Sequence, residues 1–229
     1  MKLFIFQRKE QGSLKFKVSV KRKIMEKIEI KKSQTKSFIG FWNINNDELI
    51  KDITSFFDEN HAKHYVSFNN DGKINKKEKD FLEFKITAKE IKNKEIDIFS
   101  KFVEILTSCF KDYKKNWDFL NKWEKLYLGE IILEKHLIAG HHLAYHCDKM
   151  NINSSHKVFS WAYYLSDIDD DEGSIDFKYL NLSLVPKKGT LLIFPADWTH
   201  IHRENVMKNN EKYLLRGSFH FPDTFHELD

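Results

Sequence analysis

Apolar positions along this chain recur with two periods. Leu49, Ile50, Ile53, Phe56 and Phe57 fall at helical spacing behind Asn45, which has Glu48 three positions later, so an amphipathic helix with a capping-box-like start is predicted there. Phe99, Phe102, Val103, Leu106, Phe110 and Tyr113 predict a second, longer helix over 88–113, with Cys109 on its apolar stripe. Trp117, Phe119, Leu120, Trp123 and Leu126 extend the aromatic supply and read as core. Period-two alternation marks strands at Phe4-Ile5-Phe6 and 14–20 around the turn Gln11-Gly12-Ser13, continued by 28–32. Alternation also marks strands at 81–86, from 131, at 159–167 and at 213–219, and Leu191-Leu192-Ile193-Phe194 reads as a buried strand. Residues 61–79 are polar, carry the turn signal Asn69-Asn70-Asp71-Gly72 and read as a loop.

The length of 229 residues suits one domain with a small extension, and 20 Phe supply large side chains for a β-rich core. Charge divides the chain. Residues 1–37 hold twelve Lys/Arg against three Glu, and the remainder holds 26 basic against 31 acidic residues, so the overall +4 belongs to the extension. Clustered Lys there reads either as a polyanion-binding arm or as strands whose edge Lys protects a sheet. No nucleic-acid motif accompanies it, so a nucleic-acid partner is disfavoured. Two cysteines, Cys109 and Cys147, build no disulfide framework and fit a reducing, cytoplasmic location. No apolar run approaches the roughly 20 residues of a membrane span, so no membrane partner is expected.

Chemistry concentrates in 136–221. His146-Cys147-Asp148 is a His-x-Asp on an apparent strand, and alternation sends both end groups to one side. Downstream of Pro195, Trp198-Thr199-His200-Ile201-His202 offers a second imidazole from His202 or His200. Two His and one carboxylate with open positions form the ligand set of non-haem Fe(II) oxygenases. His136, His141, His142 and His146 crowd one segment, but neither a His-Glu-x-x-His nor a Cys pair supports zinc. Lys212 opens an otherwise apolar strand and needs an anion if buried. The acidic turn Asp167, Asp169, Asp170, Asp171 and Glu172 reads as a solvated rim, or as an attractor of Ca²⁺ or a cationic substrate.

The order His146, Asp148, the strand at 159–167, His202 and then Lys212 ten positions on resembles the prolyl 4-hydroxylase-like branch of the 2-oxoglutarate and Fe(II)-dependent dioxygenases. The resemblance spans about 130–222, and more loosely Phe38 to Thr87, where Lys79-Asp80 stands for a family Lys-Asp pair. It implies a mainly β fold, a double-stranded β-helix (jelly-roll) barrel with flanking helices. Residues 1–37 would be the extension and 38–229 the dioxygenase domain, with helical support over about 46–127 and the barrel core over about 130–222. It further implies Fe(II) on His146, Asp148 and His202, with 2-oxoglutarate and O₂ as cosubstrates and ascorbate as an accessory reductant. The reaction implied is hydroxylation of a C–H bond in a small-molecule or peptidyl substrate, releasing succinate and CO₂. Lys212 and Tyr164 would hold the far carboxylate of 2-oxoglutarate. Arg216, two strand steps from Lys212, would face the barrel interior and receive a carboxylate of substrate or cosubstrate, pair with a pocket carboxylate, or be turned outward by a bulge at Gly217. The sequence departs from patterns of the family at His136, where a Tyr often stands, at Ile138-Ala139, in place of the usual Pro-Gly, and at Glu204, where some members have the Gly of a His-Arg-Gly. Two rivals share the fold: a cupin-like metal protein without oxygenase activity, against which Lys212 argues, and a binding module that uses the basic arm.

Overall fold

The computed structural model describes residues 25–27, 37–68, 72–93, 97–123 and 125–222. The hairpin read in 4–20 lies outside the described residues, as does the turn signal at 69–71. Two antiparallel sheets face each other. The nine-stranded sheet runs, in spatial order, Met25–Lys27, Gly40–Ile44, Thr190–Pro195, Lys157–Tyr164, Lys212–His220, Ile131–His136, Leu82–Ile86 and Tyr65–Val66, with Tyr127–Leu128 pairing off Lys212–His220. The five-stranded sheet runs Leu182–Leu184, Ile175–Phe177, His202–Glu204, His141–His146 and Lys79–Asp80. This is the double-stranded β-helix expected from the chain's motifs.

Strand alternation divides the large sheet into two unlike faces. From Lys157–Tyr164, Phe159, Trp161 and Tyr163 join Leu191, Ile193, Leu215 and Phe219 in one apolar cluster with the helices. Ala162, Tyr164, Leu192, Phe194 and Leu214 face inward and pack on Ile175 and Phe177 of the small sheet. The helices Asp47–Glu59 and Asp97–Asn116 cover the outer face because Leu49, Ile50, Ile53 and Phe57, and Phe99, Phe102, Leu106 and Cys109, make their buried stripes. Phe102 sits flat against Tyr163, ring centroids 5.4 Å apart, and tilted against Trp161 at 5.3 Å. The helix layer makes this face rigid, and the strands it supports carry the candidate chemistry on their other face.

Local expectations are corrected in three places. The first helix is capped by Asn46, whose side chain accepts from the Leu49 N–H at 3.1 Å, one residue later than expected. The single helix expected over 88–113 is two, Ala88–Lys92 and Asp97–Asn116, the first opened by a Thr87/Glu90 capping box. The polar loop contains Tyr65–Val66 and Lys79–Asp80, which add edge strands to the two sheets. Of the basic segment, Met25–Lys27 pairs with Gly40–Ile44. Ala139, in the place of the family's Gly, adopts φ 68° in the tight turn before His141–His146, a conformation that costs an L-residue about 1–2 kcal/mol.

Gly217 is required by close approach. A Cβ there would lie 2.5 Å from Trp161 Cζ2 and 2.7 Å from the Glu130 carbonyl oxygen. Gly217→Ala is therefore expected to destabilise the fold by about 1–3 kcal/mol, read as a lowered midpoint in thermal denaturation; an unchanged midpoint would show that the indole and strand yield freely.

Candidate metal and cosubstrate site

His146 ends one strand of the small sheet and His202 begins its neighbour, and the two are direct antiparallel partners. Their rings stand 4.5 Å apart, tilted by 54°. Each ring is fixed in the same way: Nδ1 of His146 donates to the Ala144 carbonyl at 3.0 Å, and Nδ1 of His202 to the His200 carbonyl at 3.0 Å. A proton held on Nδ1 leaves the Nε2 lone pair available for a metal. Phe177 and Phe194 wall the His202 ring at 5.6 and 5.1 Å. His142 stacks on His146 at 3.7 Å. Burial, followed by the neighbouring His202, lowers the His146 pKa to about 3, so the imidazole is neutral and ready to ligate.

Asp148 lies just past the end of its strand, and its Oδ2 accepts from the Ser160 hydroxyl at 2.5 Å. Burial raises its pKa, but Lys157 and Arg216, with the Ser160 hydrogen bond, outweigh this and hold it at about 2. His146, Asp148 and His202 all border a single inner cavity of about 30 Å³. As the side chains are placed, no group of three or more His, Cys, Asp or Glu among the described residues is arranged to hold a metal ion, since Asp148 is directed at Ser160. The donor chemistry nevertheless fits Fe(II): two neutral imidazoles with free Nε2 and one ionised carboxylate on adjoining elements.

His200 is drawn away from the cavity. It sits in the 3₁₀ turn Trp198–His200, where its Nε2 meets the Ser37 carbonyl at 2.7 Å and its Nδ1 the Thr199 hydroxyl at 2.8 Å. The register therefore brings His202, not His200, beside His146.

Lys212, Tyr164 and Arg216 do project into the barrel, but each already holds a carboxylate of the chain. Lys212 Nζ donates to Glu204 Oε2 at 2.5 Å and Tyr164 Oη to Glu204 Oε1 at 3.2 Å. Arg216 bonds Glu134 through Nε and Glu83 through an N–H at 3.2 Å. The strand runs straight through Gly217, opposite Trp161, and the register shift comes only at Phe219/His220, so no bulge turns Arg216 outward. His136 Nε2 lies 3.1 Å from Glu134 and 3.8 Å from Glu204. Burial and Lys212 lower the His136 pKa, so it donates as a neutral imidazole. Burial raises the Glu204 pKa, but the Lys212 ammonium, with its hydrogen bond, outweighs this and holds it at about 2. Sequence reading assigned no site role to Glu83, Glu134, His136 and Glu204. The signal for two of them was present: Glu204 is two strand positions from His202 and Glu134 two from His136, so each pair shares a face.

The acidic turn is consumed by its own surroundings. Glu172 accepts from the backbone N–H groups of Lys208, Asn209 and Asn210, and Lys187 and Lys208 pair with Asp170 and Asp171. Asp167 accepts from the Lys188 N–H and Asp169 from the Asn209 side chain. Outside the inner cavity, by contrast, a cleft of about 320 Å³ bordered by His146 and Asp148 is lined by Lys79, Lys85, Lys157 and Arg216. Among the described residues, the first three of these make no ion pair within 4.0 Å.

Residues 133–220 match the 2OG-Fe(II) oxygenase superfamily. Among solved structures, the chain is similar to a Pseudomonas putida prolyl-4-hydroxylase, with a TM-score of 0.63 at 12% identity over 81% of this chain and 94% of that one. It is similar to a Trichoplax adhaerens prolyl hydroxylase in complex with a hypoxia inducible factor peptide fragment, with a TM-score of 0.61 at 12% identity over 80% and 84%. It is also similar to the viral collagen prolyl hydroxylase of Paramecium Bursaria Chlorella virus-1 in its 2-oxoglutarate complex, with a TM-score of 0.54 at 15% identity over 86% and 96%. At these identities the structures establish the shared fold. No curated protein matches the sequence. The family match covers residues 133–220 of the 229, and the solved structures add the shared fold.

Two outcomes are expected from this geometry. His202→Ala should weaken Mn(II) or Fe(II) binding by about 100-fold or more while His200→Ala leaves it within a few fold; titration calorimetry giving the opposite order reverses the ligand assignment. Asp148, Glu172 and Glu204 all have folded pKa values depressed to about 2 from ordinary values of 3.8 and 4.5. Their contribution is complete above the ordinary values and lost as pH falls through the depressed ones, so stability should decline from about pH 4.5 towards pH 2. Glu172→Gln should flatten that decline, and an identical acid profile in the variant would remove Glu172 from its causes.

Proposed function

We propose that the chain is an Fe(II)-dependent dioxygenase that hydroxylates a C–H bond, with His146, Asp148 and His202 as its metal ligands. The observation that carries the reading is the pairing of His146 with His202, both with Nδ1 committed to a carbonyl and Nε2 left free, beside an ionised Asp148. Bound there, Fe(II) with O₂ and a 2-oxo acid supplies the oxidant; with 2-oxoglutarate, the cosubstrate the family implies, the coproducts are succinate and CO₂. The chain contributes the rest. Phe177, Phe194, Leu192 and Leu214 form a dry inner wall, Lys157 and Arg216 keep Asp148 charged, and Ser160 positions that carboxylate until it turns to close the triad.

The substrate class we infer is anionic. The outer cleft sets Lys79, Lys85, Lys157 and Arg216 against Glu83, which Arg216 pairs, and Asp148, so basic groups outnumber carboxylates there, whereas the carboxylates of the acidic turn that suggested a cationic substrate are bonded to their neighbours. We propose that residues 1–37 are an extension dispensable for the chemistry, although its Met25–Lys27 adds an edge strand to the large sheet.

Purified protein reconstituted with Fe(II) should consume 2-oxo acid and O₂ in an iron-dependent way, and Asp148→Ala should reduce this by about 100-fold or more. Equal turnover in the variant, or none in the wild type, excludes the reading. Acidic peptides and small acids should stimulate turnover more than basic ones, and stimulation by basic peptides alone would reverse the inferred substrate charge.

A further inference from the structure

Two departures from the family's pattern meet in space. Glu204, where some of the family have Gly, and His136, where a Tyr often stands, converge on Lys212 and Tyr164 inside the barrel. Lys212 is 1% exposed and Tyr164 0%, and the two donors hold the two oxygens of one carboxylate, that of Glu204. This is the grip expected for the far carboxylate of 2-oxoglutarate, made instead on a side chain that shares its strand face with His202. Glu204 borders the same inner cavity as the two imidazoles. A dicarboxylate would bring a second carboxylate against Glu204 with a single ammonium between them, and like charges at that separation repel strongly. The far end of 2-oxoglutarate does not fit these residues as they stand.

We propose that Glu204 is a built-in occupant of the distal-carboxylate anchor, so that this chain selects a 2-oxo acid lacking a second carboxylate over 2-oxoglutarate. A 2-oxo monocarboxylate needs no distal cation. Its short tail would face the apolar part of the cavity lining, Trp161, Ala162, Ile175, Phe194 and Leu214. The inference rests on the dioxygenase reading, but it concerns the anchor and is measured separately from turnover.

The test compares pyruvate and 2-oxoglutarate binding to Mn(II)-loaded protein under anaerobic conditions by calorimetry. Wild type should prefer pyruvate. Glu204→Gly should tighten 2-oxoglutarate about ten- to hundred-fold, the worth of a restored charge-assisted contact, and leave pyruvate within a few fold. A second readout needs no metal. Glu204→Gly strips Lys212 of its partner and should lower Tm, and glutarate should restore Tm in that variant while leaving wild type unmoved. Wild type that binds 2-oxoglutarate as tightly as the variant, or glutarate that stabilises both alike, overturns the proposal. Should Glu204→Gly fail to fold, Glu204→Gln keeps the volume and removes the charge; it should shift preference towards 2-oxoglutarate, and an unchanged preference overturns the proposal equally. Absence of turnover with either acid would sink the dioxygenase reading, while glutarate rescue would still decide the role of Glu204.

Discussion

Two cations inside a β-barrel set the terms for the rest of this structure. Lys212 and Arg216 point inward from one strand, and a buried charge left without its partner costs about 3–5 kcal/mol. The fold answers with carboxylates from three other strands. Glu83 comes from Leu82–Ile86, Glu134 from Ile131–His136 and Glu204 from His202–Glu204. Arg216 thereby ties three neighbouring strands of the large sheet, and Lys212 ties the large sheet to the small one.

The apolar half of the molecule makes this tolerable. Strands of the large sheet send alternate residues to the helices, and Phe102, Trp161, Tyr163 and Leu215 join one buried cluster there. A register shift of one residue would exchange Tyr163 for Tyr164 and Leu215 for Arg216, burying a guanidinium in the helix layer. Charge inside and aromatic rings outside thus specify the same register from opposite faces.

A fold does not by itself assign chemistry, and this barrel shows why. It shares its architecture with prolyl hydroxylases from a bacterium, an animal and a virus, and its two imidazoles stand ready on their Nε2 atoms. Its buried Lys212, however, is already paired with Glu204, and under the proposal above that carboxylate takes the place of a soluble acid's.

The sequence by itself determined what depends on neighbours along the chain. Helical and two-residue periods placed the supporting helices and the barrel strands, and the His-x-Asp and the ten-residue step from His202 to Lys212 marked the candidate site. Local rules erred only by small amounts, as in Asn45 for Asn46 as the helix cap and one long helix for two. Tertiary structure decided who meets whom. Ser160 lies 12 positions from Asp148, Glu134 82 from Arg216 and Glu83 133 from Arg216, separations that leave no periodic trace. The ten-residue step to Lys212 favoured His202 over His200, and what sets the two apart in space is a 3₁₀ turn that hands His200 to Ser37, 163 residues away. The physical reason is the same throughout. Periodicity records which face a side chain takes, whereas the partner on that face is set by strand register across the barrel, and only the folded chain brings Glu204 to Lys212.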